Sequence, residues 1–238
     1  MKRTLVSAAL LAFFAGGVFA QEVGITGNVA LTTNYKFRGQ DQGNNKPAVQ
    51  GGFDLSHGGF YLGNWNSSVG SLMNAASGLE ADVYGGYKGE LSGVGYDVGV
   101  LRYQYPGNSV ANTTELYGAV SYGMVSAKYS HTVSKEYFGI TEGRSTGYLD
   151  LAANYELVPG LTLNAHLGFT NFASDAERAN PLLAKDYTDY KLGATYALGK
   201  DVSLAGAIVG ATERDFYRAA AGQDLNRARF IVTLSKAL

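Results

Sequence analysis

The stretch "YLDLAANYELVPGLTLNAHLGF", residues 148–169, decides how this chain is read. Leu149, Leu151, Ala153, Tyr155 and Leu157 fall on one face, and Asp150, Ala152, Asn154 and Glu156 on the other. After Pro159-Gly160 the alternation resumes. Leu161, Leu163, Ala165, Leu167 and Phe169 oppose Thr162, Asn164, His166, Gly168 and Thr170. A period of two over this length means strands, and Pro-Gly between them means a turn. The pattern does not say which face looks inward. In a soluble sandwich the leucines make the core. In a membrane barrel they face lipid and the polar face lines the inside.

Composition favours the barrel. Charged residues are 16% of the chain, against about 25% in soluble domains. The 32 glycines are a high share, and 17 tyrosines outnumber 11 phenylalanines. The non-apolar face of most strands is Gly, Thr, Asn, Ser and Ala with scattered charges, where a soluble sheet carries Lys, Glu and Asp.

The beginning of the chain sets the expected compartment. "MKRTLVSAALLAFFAGGVFA", residues 1–20, has Lys2 and Arg3, an apolar run, and a small-residue site at Ala20. This is the layout of a secretory signal peptide cut after Ala20, leaving residues 21–238 as one domain. Removing Lys2 and Arg3 from the 19 basic residues leaves 17 against 20 acidic ones, a net charge of −3. With no basic block, nucleic acid is excluded as a partner class. The chain has no cysteine, so disulfides and Cys-based metal or redox chemistry are excluded as well. No segment reaches 18 consecutive apolar residues, so no helix is expected to cross a membrane.

The pattern predicts about twelve strands: 23–37, 47–56, 60–69, 79–90, 94–105, 113–122, 124–133, 146–157, 161–172, 187–198, 202–213 and 227–236. Most reach the roughly 9–11 residues that a tilted strand needs to cross a bilayer. Pro47, Pro106, Pro159 and Pro181 all sit at a strand start, in a loop or in a turn, where a ladder can spare a donor. Connections alternate between tight turns (56–59, 91–95, 123, 158–160, 199–201) and long ones (38–46, 70–78, 106–112, 134–145, 173–186, 214–226). Short turns on one rim and long loops on the other is the arrangement of a bacterial outer-membrane barrel, with short periplasmic turns and longer extracellular loops.

Parity then assigns the faces. Ile25, Val29, Leu31, Tyr35 and Phe37 oppose Thr26, Asn28, Asn34, Lys36 and Arg38. A Lys or Arg on the lipid face at mid-bilayer costs about 2–4 kcal/mol, so the charged parity belongs inside. The candidate pore-lining residues are Lys36, Arg38, Asp54, Glu80, Asp82, Lys88, Asp97, Lys128, Asp150, Glu156, His166, Asp189, Lys191, Arg227 and Arg229. Asp97 and Arg102 share a strand with opposite parity, which requires either a bulge near Val100 or Arg102 above the membrane.

The blocks "NYKFRGQDQ" (34–42), "KPAVQGGFDL" (46–55), "YLGNW" (61–65), "LEADVYGGYKG" (79–89) and "YDVGVLRYQYPG" (96–107) resemble the TorF family of porin-like outer-membrane proteins of proteobacteria. They cover the first half of the chain; the second half matches in layout. The resemblance implies a β-barrel pore and names no substrate. The last strand departs from the pattern. It ends in Leu238 where an aromatic is common, and Lys236 breaks its alternation unless it snorkels to the interface.

Other chemistry has little support in the residues. A hydrolase needs a Ser–His pair with an orienting third group; Ser130, His131 and Ser134 cluster, but without an evident Asp or Asn. His57 lies in a turn, and His166 stands alone on the lumen parity as a packing or hydrogen-bonding residue, so no zinc site is expected. Tyr35 and Phe37 alternate with Lys36 and Arg38 and therefore form no single basic-aromatic patch. A twelve-strand barrel has a backbone radius on the order of 12 Å and an opening of about 10 Å or less after side chains. The expectation is a narrow, cofactor-free outer-membrane channel for passive diffusion of ions or small solutes, its partners being lipid and those solutes. The alternatives are a barrel plugged by its own side chains, with loops that bind a partner, and an outer-membrane lipid hydrolase. Oligomeric state is left open.

Overall fold

The structure is a computed structural model that describes residues 23–72, 75–76, 78–214 and 224–238. The expected signal peptide, residues 1–20, lies outside the described residues. Twelve strands form one closed antiparallel sheet in sequence order. They are β1 (Gly24–Thr32), β2 (Ala48–His57), β3 (Phe60–Ser68), β4 (Leu79–Leu91), β5 (Val94–Gln104), β6 (Thr113–Tyr122), β7 (Val125–Thr132), β8 (Gly147–Val158), β9 (Leu161–Asn171), β10 (Tyr187–Gly199), β11 (Val202–Ala211) and β12 (Arg229–Ala237). Each pairs with its neighbour in sequence, and β1 closes on β12 from Asn28↔Ala237 to Thr32↔Thr233. One short helix, α1 (Ser174–Ala179), lies in the connection between β9 and β10.

Closure removes both sheet edges, so every strand can pair its backbone inside a bilayer. The turns on one rim are tight. Ser92 (φ 53°) with Gly93 (φ 82°), and Lys200 (φ 51°) with Asp201 (φ 61°), adopt the left-handed conformations of twist-matched hairpin turns. Both chain termini of the barrel lie on this same rim, and the six long connections lie on the other.

The apolar parity faces out. Ile25, Phe53, Leu62, Leu192 and Phe230 are 73, 59, 57, 67 and 68% exposed. Leaving side chains of this size in water forfeits about 1.5–3 kcal/mol each. A band of them all round the wall is stable only against lipid. The opening hairpin behaves as its pattern requires: Leu149 pairs with Phe169 and Leu151 with Leu167 on the outer face, while Asp150 and His166 point in. Near the short-turn rim, exposed Phe60, Tyr87 and Tyr96 pack ring to ring on the outside, as an interfacial girdle does.

Four expectations are corrected or resolved. The first strand stops at Thr32, not at residue 37. The chain then turns into the barrel, so Tyr35 is buried inside and Phe37 packs inside against Tyr103 and Phe138, and neither faces lipid. The last strand begins at Arg229, which leaves Arg227 exposed in the preceding loop and off the lumen wall. The register of β5 with both neighbours is unbroken through Val100, so there is no bulge there. Arg102 instead lies on the outer face close to the long-loop rim, where its guanidinium donates to Thr114 Oγ1 at 2.8 Å. Lys236 is likewise outward at the short-turn rim, and its ammonium donates to the Lys200 carbonyl at 2.6 Å.

Candidate functional site

The candidate site is the lumen, and its two halves differ. The long-loop half is filled by the chain itself. After β1, residues 33–47 fold inward as a miniature hairpin in which Lys36–Phe37 pair with Gln40–Asp41. Arg38 (φ 47°) and Gly39 (φ 75°) form its tip. Gly39 is required there twice over: its φ is left-handed, and a Cβ would lie 2.7 Å from the Cβ atoms of both Asp189 and Ala211. A second tight turn, Tyr137–Ile140, is closed by backbone hydrogen bonds of 2.9 Å in both directions and has Phe138 (φ 47°) and Gly139 (φ 89°) at its centre. A phenylalanine at positive φ is strained, and such strain persists only where surrounding packing enforces it. Here the packing is the first hairpin.

The two tips meet. Arg38 Nη1 and Nη2 donate to Glu115 Oε1 and Oε2 on β6 at 2.8 and 2.7 Å, and Nη1 also donates to the Tyr137 hydroxyl at 3.0 Å. The guanidinium carbon lies 4.0 Å from the centre of the Tyr148 ring and 4.8 Å from that of Phe37. The planar fork of arginine matches a carboxylate bidentately and stacks on aromatic faces, which a lysine does not do. Around this pair Leu101, Tyr103, Tyr105, Tyr137, Phe138, Ile140, Phe172 and Tyr187 form a buried cluster inside the barrel. Gln40, Glu80 and Glu115 are at most 1% exposed. The hairpin is also tied elsewhere: Tyr35 donates to Glu80 on β4 at 3.1 Å, and the Asn226 amide oxygen accepts from the Asp41 N–H at 2.8 Å.

Lys36 lies beside the tip, half-buried, and donates to the carbonyls of Gly39 and Leu225 at 3.2 and 3.3 Å. Burial pulls its ammonium down from 10.5 to about 8, against the opposing pull of Asp41.

Below this plug the wall carries tyrosines, carboxylates and lysines. Tyr84 donates to Asp54 at 2.8 Å, and Tyr61 to Asp97 at 2.6 Å. Tyr61 and Tyr117 also share a hydroxyl contact. The ammonium of Lys128 lies 4.0 Å from the centre of the Tyr117 ring, and that of Lys88 is 5.3 Å from the Tyr61 ring. His166 is held between two carboxylates: Nδ1 is 3.0 Å from Asp150 Oδ1, and Nε2 is 2.7 Å from Asp189 Oδ1. Tyr148 donates to the same Asp189 at 3.1 Å. Towards the short turns come neutral amides and hydroxyls, with Asn164 donating to Asn154 at 2.7 Å and accepting from Thr195 at 2.8 Å.

The structure thus puts Asp54, Glu80, Asp82, Lys88, Asp97, Lys128, Asp150, His166, Asp189, Lys191 and Arg229 on the inward face of their strands. Lys36 and Arg38 also reach the lumen, but from the inward hairpin and not from a strand. Glu156 shares the inward parity but is exposed at the short-turn end, where it accepts from the Gly160 N–H. His166 is not alone, as its parity suggested; two carboxylates on neighbouring strands clamp it. Phe37 and Arg38 do pack together, the guanidinium carbon 4.8 Å from the ring centre, because the hairpin folds them so, whereas Tyr35 packs on Trp65 and donates to Glu80. Glu115 was missed although its signal was present: it alternates with Leu116 on the side shared by Thr113 and Tyr117. Tyr137 and Phe138 had no such signal, since they sit in a loop.

The residues of the hydrolase reading are not brought together. Ser130 is buried on the inner face, His131 points outward beside Tyr129, and the Ser134 hydroxyl is used by backbone partners, accepting from Thr114 and donating to Glu136. Among the described residues no group of three or more His, Cys, Asp or Glu side chains converges as a metal site.

A lipid-facing outer wall around a charged, tyrosine-lined interior defines a porin-type β-barrel. The chain belongs to the family described as "Bacterial protein of unknown function (Gcw_chp)", whose model matches residues 19–238. No curated protein matches it. Among solved structures it is similar to the KdgM porin, at 11% identity and a TM-score of 0.57, covering 89% of this chain and 98% of that one. It is also similar to the NanC porin, at 11% identity and a TM-score of 0.55, covering 90% and 98%. The COG4313 outer membrane channel from Pseudomonas putida F1 matches at 13% identity and a TM-score of 0.50, covering 94% and 98%. At such identities these likenesses show the fold alone.

Proposed function

We propose that this protein is an outer-membrane channel for passive diffusion of ions or small solutes, exported through a leader cut after Ala20. Its long-loop mouth is closed in the present conformation by the inward hairpin. The observation that carries the reading is the division of the wall: apolar side chains outside, and ionisable ones inside along the barrel. A barrel needs no charge inside merely to fold, and interior charge is costly to desolvate unless water reaches it. Half-buried Lys88, Asp97, Lys128, Asp150 and Lys191 suit a wet lumen. Resemblance to the TorF family and to porin folds points the same way. Transport down a gradient requires no cofactor and no covalent step.

A second reading, a permanently plugged barrel whose loops bind a partner, is favoured by one observation. The hairpin is held at several points, and its Gln40, Asp41 and Gln42 are almost wholly buried. Salt leakage from proteoliposomes separates the two. A channel leaks, and leaks faster when Arg38→Ala loosens the hairpin. A permanent plug stays tight in both forms, which would overturn the channel reading.

A further inference from the structure

The charges in the lumen are ordered by the sheet register. From strand to strand, Lys88 pairs with Asp97, Asp97 with Ala119, Ala119 with Lys128, Lys128 with Asp150, Asp150 with Gly168, and Gly168 with Asp189. Strands in a barrel tilt by about 35–45°, so a row of register partners climbs the wall as it goes round. Lys88 lies towards the short-turn end of β4 and Asp189 towards the long-loop end of β10. The row is therefore a ramp along the lumen on which basic and acidic groups first alternate.

The pair at its middle is held ready and apart. Register partners have Cβ atoms about 4.5–5.5 Å apart, close enough for a Lys and an Asp to close a salt bridge. Lys128 and Asp150 do not. The Lys128 ammonium lies on the Tyr117 ring, and Asp150 Oδ1 is engaged by His166 Nδ1. Lys128 has no carboxylate within salt-bridge distance among the described residues. Each charge is fixed by a third group, and both side chains are half-buried towards the lumen. Opposite β7 and β8 in the twelve-strand closure stand β1 and β2, whose inward positions Asn28, Ala30, Thr32, Gln50 and Gly52 carry no charge; Asp54 follows towards the short turns, where Tyr84 donates to it.

An ion of either sign passing Lys88 and Asp97, or Lys128 and Asp150, meets a repelling group within about one strand spacing, 4.8 Å, of the attracting one. A molecule that carries both charges a few ångströms apart meets attraction at both. We propose that the lumen selects small zwitterions of the α-amino acid class, Lys128 receiving the carboxylate and Asp150 the ammonium. This rests on the channel reading above and names its solute class.

The test is swelling of proteoliposomes carrying the full mature chain, wild type and Arg38→Ala, in isosmotic L-threonine or in erythritol, a neutral solute of similar size. Protein-free liposomes supply the background. Threonine is expected to enter at least fivefold faster than erythritol. Lys128→Met and Asp150→Asn, each shown to be folded by heat-modifiable migration, should bring threonine down to the erythritol rate. They should also move ion selectivity in opposite directions, Lys128→Met towards cations and Asp150→Asn towards anions. Equal entry of threonine and erythritol overturns the zwitterion assignment and leaves the channel standing. No entry of either solute in both backgrounds overturns the channel reading, and this inference with it.

Discussion

Arg38 and Glu115, 77 residues apart in the chain, meet inside the barrel through two parallel hydrogen bonds of 2.8 and 2.7 Å. Their side chains are 5 and 1% exposed. One sits at the tip of an inward hairpin and the other on the barrel wall, so the bond between them fixes how far the hairpin reaches across the bore. Everything that would open the long-loop mouth has to break it.

Removing one member leaves a buried charge without its partner, which costs about 3–5 kcal/mol. Arg38→Ala and Glu115→Gln should each lower the temperature at which the folded band converts to the unfolded one on gels. A double replacement, Arg38→Met with Glu115→Leu, should recover part of the loss, because apolar packing can substitute for a buried ion pair. A double variant as unstable as the sum of the singles would show that the two residues do not act together.

Lys36 gives the mouth a pH dependence. Burial sets its ammonium near 8 in the folded barrel, against 10.5 when free. As pH rises through about 8 the mouth loses one positive charge, so the reversal potential in a salt gradient should move towards cation preference. The linked stability has a definite sign. Between about 8 and 10.5 the unfolded chain holds a proton that the native one has released, so stability contributed by this group rises with pH in that window. Lys36→Met should abolish both effects. A wild-type profile unchanged in the variant would remove Lys36 from the mouth.

Gly168 makes room for the His166 clamp. A Cβ there would collide with the Tyr148 hydroxyl and the Asp189 carboxylate. Gly168→Ala should therefore cost about 1–3 kcal/mol in unfolding experiments, as overpacking does. Gly118, where a Cβ meets nothing within 4 Å, is the control, and Gly118→Ala should be close to neutral. Equal effects at the two positions would contradict the packing described for the clamp.

The lipid face is open to a direct test at Leu151, which is 40% exposed in the middle of β8. Leu151→Arg should cost about 2–4 kcal/mol at mid-bilayer and lower the yield of folded barrel in lipid vesicles. Normal folding of this variant would place the leucine face elsewhere.

Much of this was legible in the sequence. Strand number, most strand limits and the inside–outside assignment follow from a period of two that the opening hairpin displays over twenty residues. The inward hairpin was not legible, for a physical reason. Tyr35, Lys36, Phe37 and Arg38 keep the same alternation as the strand before them, so periodicity extends β1 through a point where the chain in fact turns away. The only local mark is Arg38-Gly39, a two-residue hairpin tip without the Asn-Gly or Asp-Gly that usually announces one. Tyr137 and Phe138 lie in a connection that reads as polar overall, and their burial comes from contact with the hairpin and with Tyr103 and Phe172. Face assignment works wherever one repeating wall decides it; segments placed by packing against a distant partner carry no such period.

The most direct test of a hairpin-closed channel is single-channel recording in a planar bilayer of the refolded wild type and of Arg38→Ala, both checked for folding by spectroscopy. Discrete conductance steps are expected in both, with the Arg38→Ala barrel open for a larger fraction of the time. A silent bilayer from both folded proteins would contradict the account and make the plugged barrel its replacement.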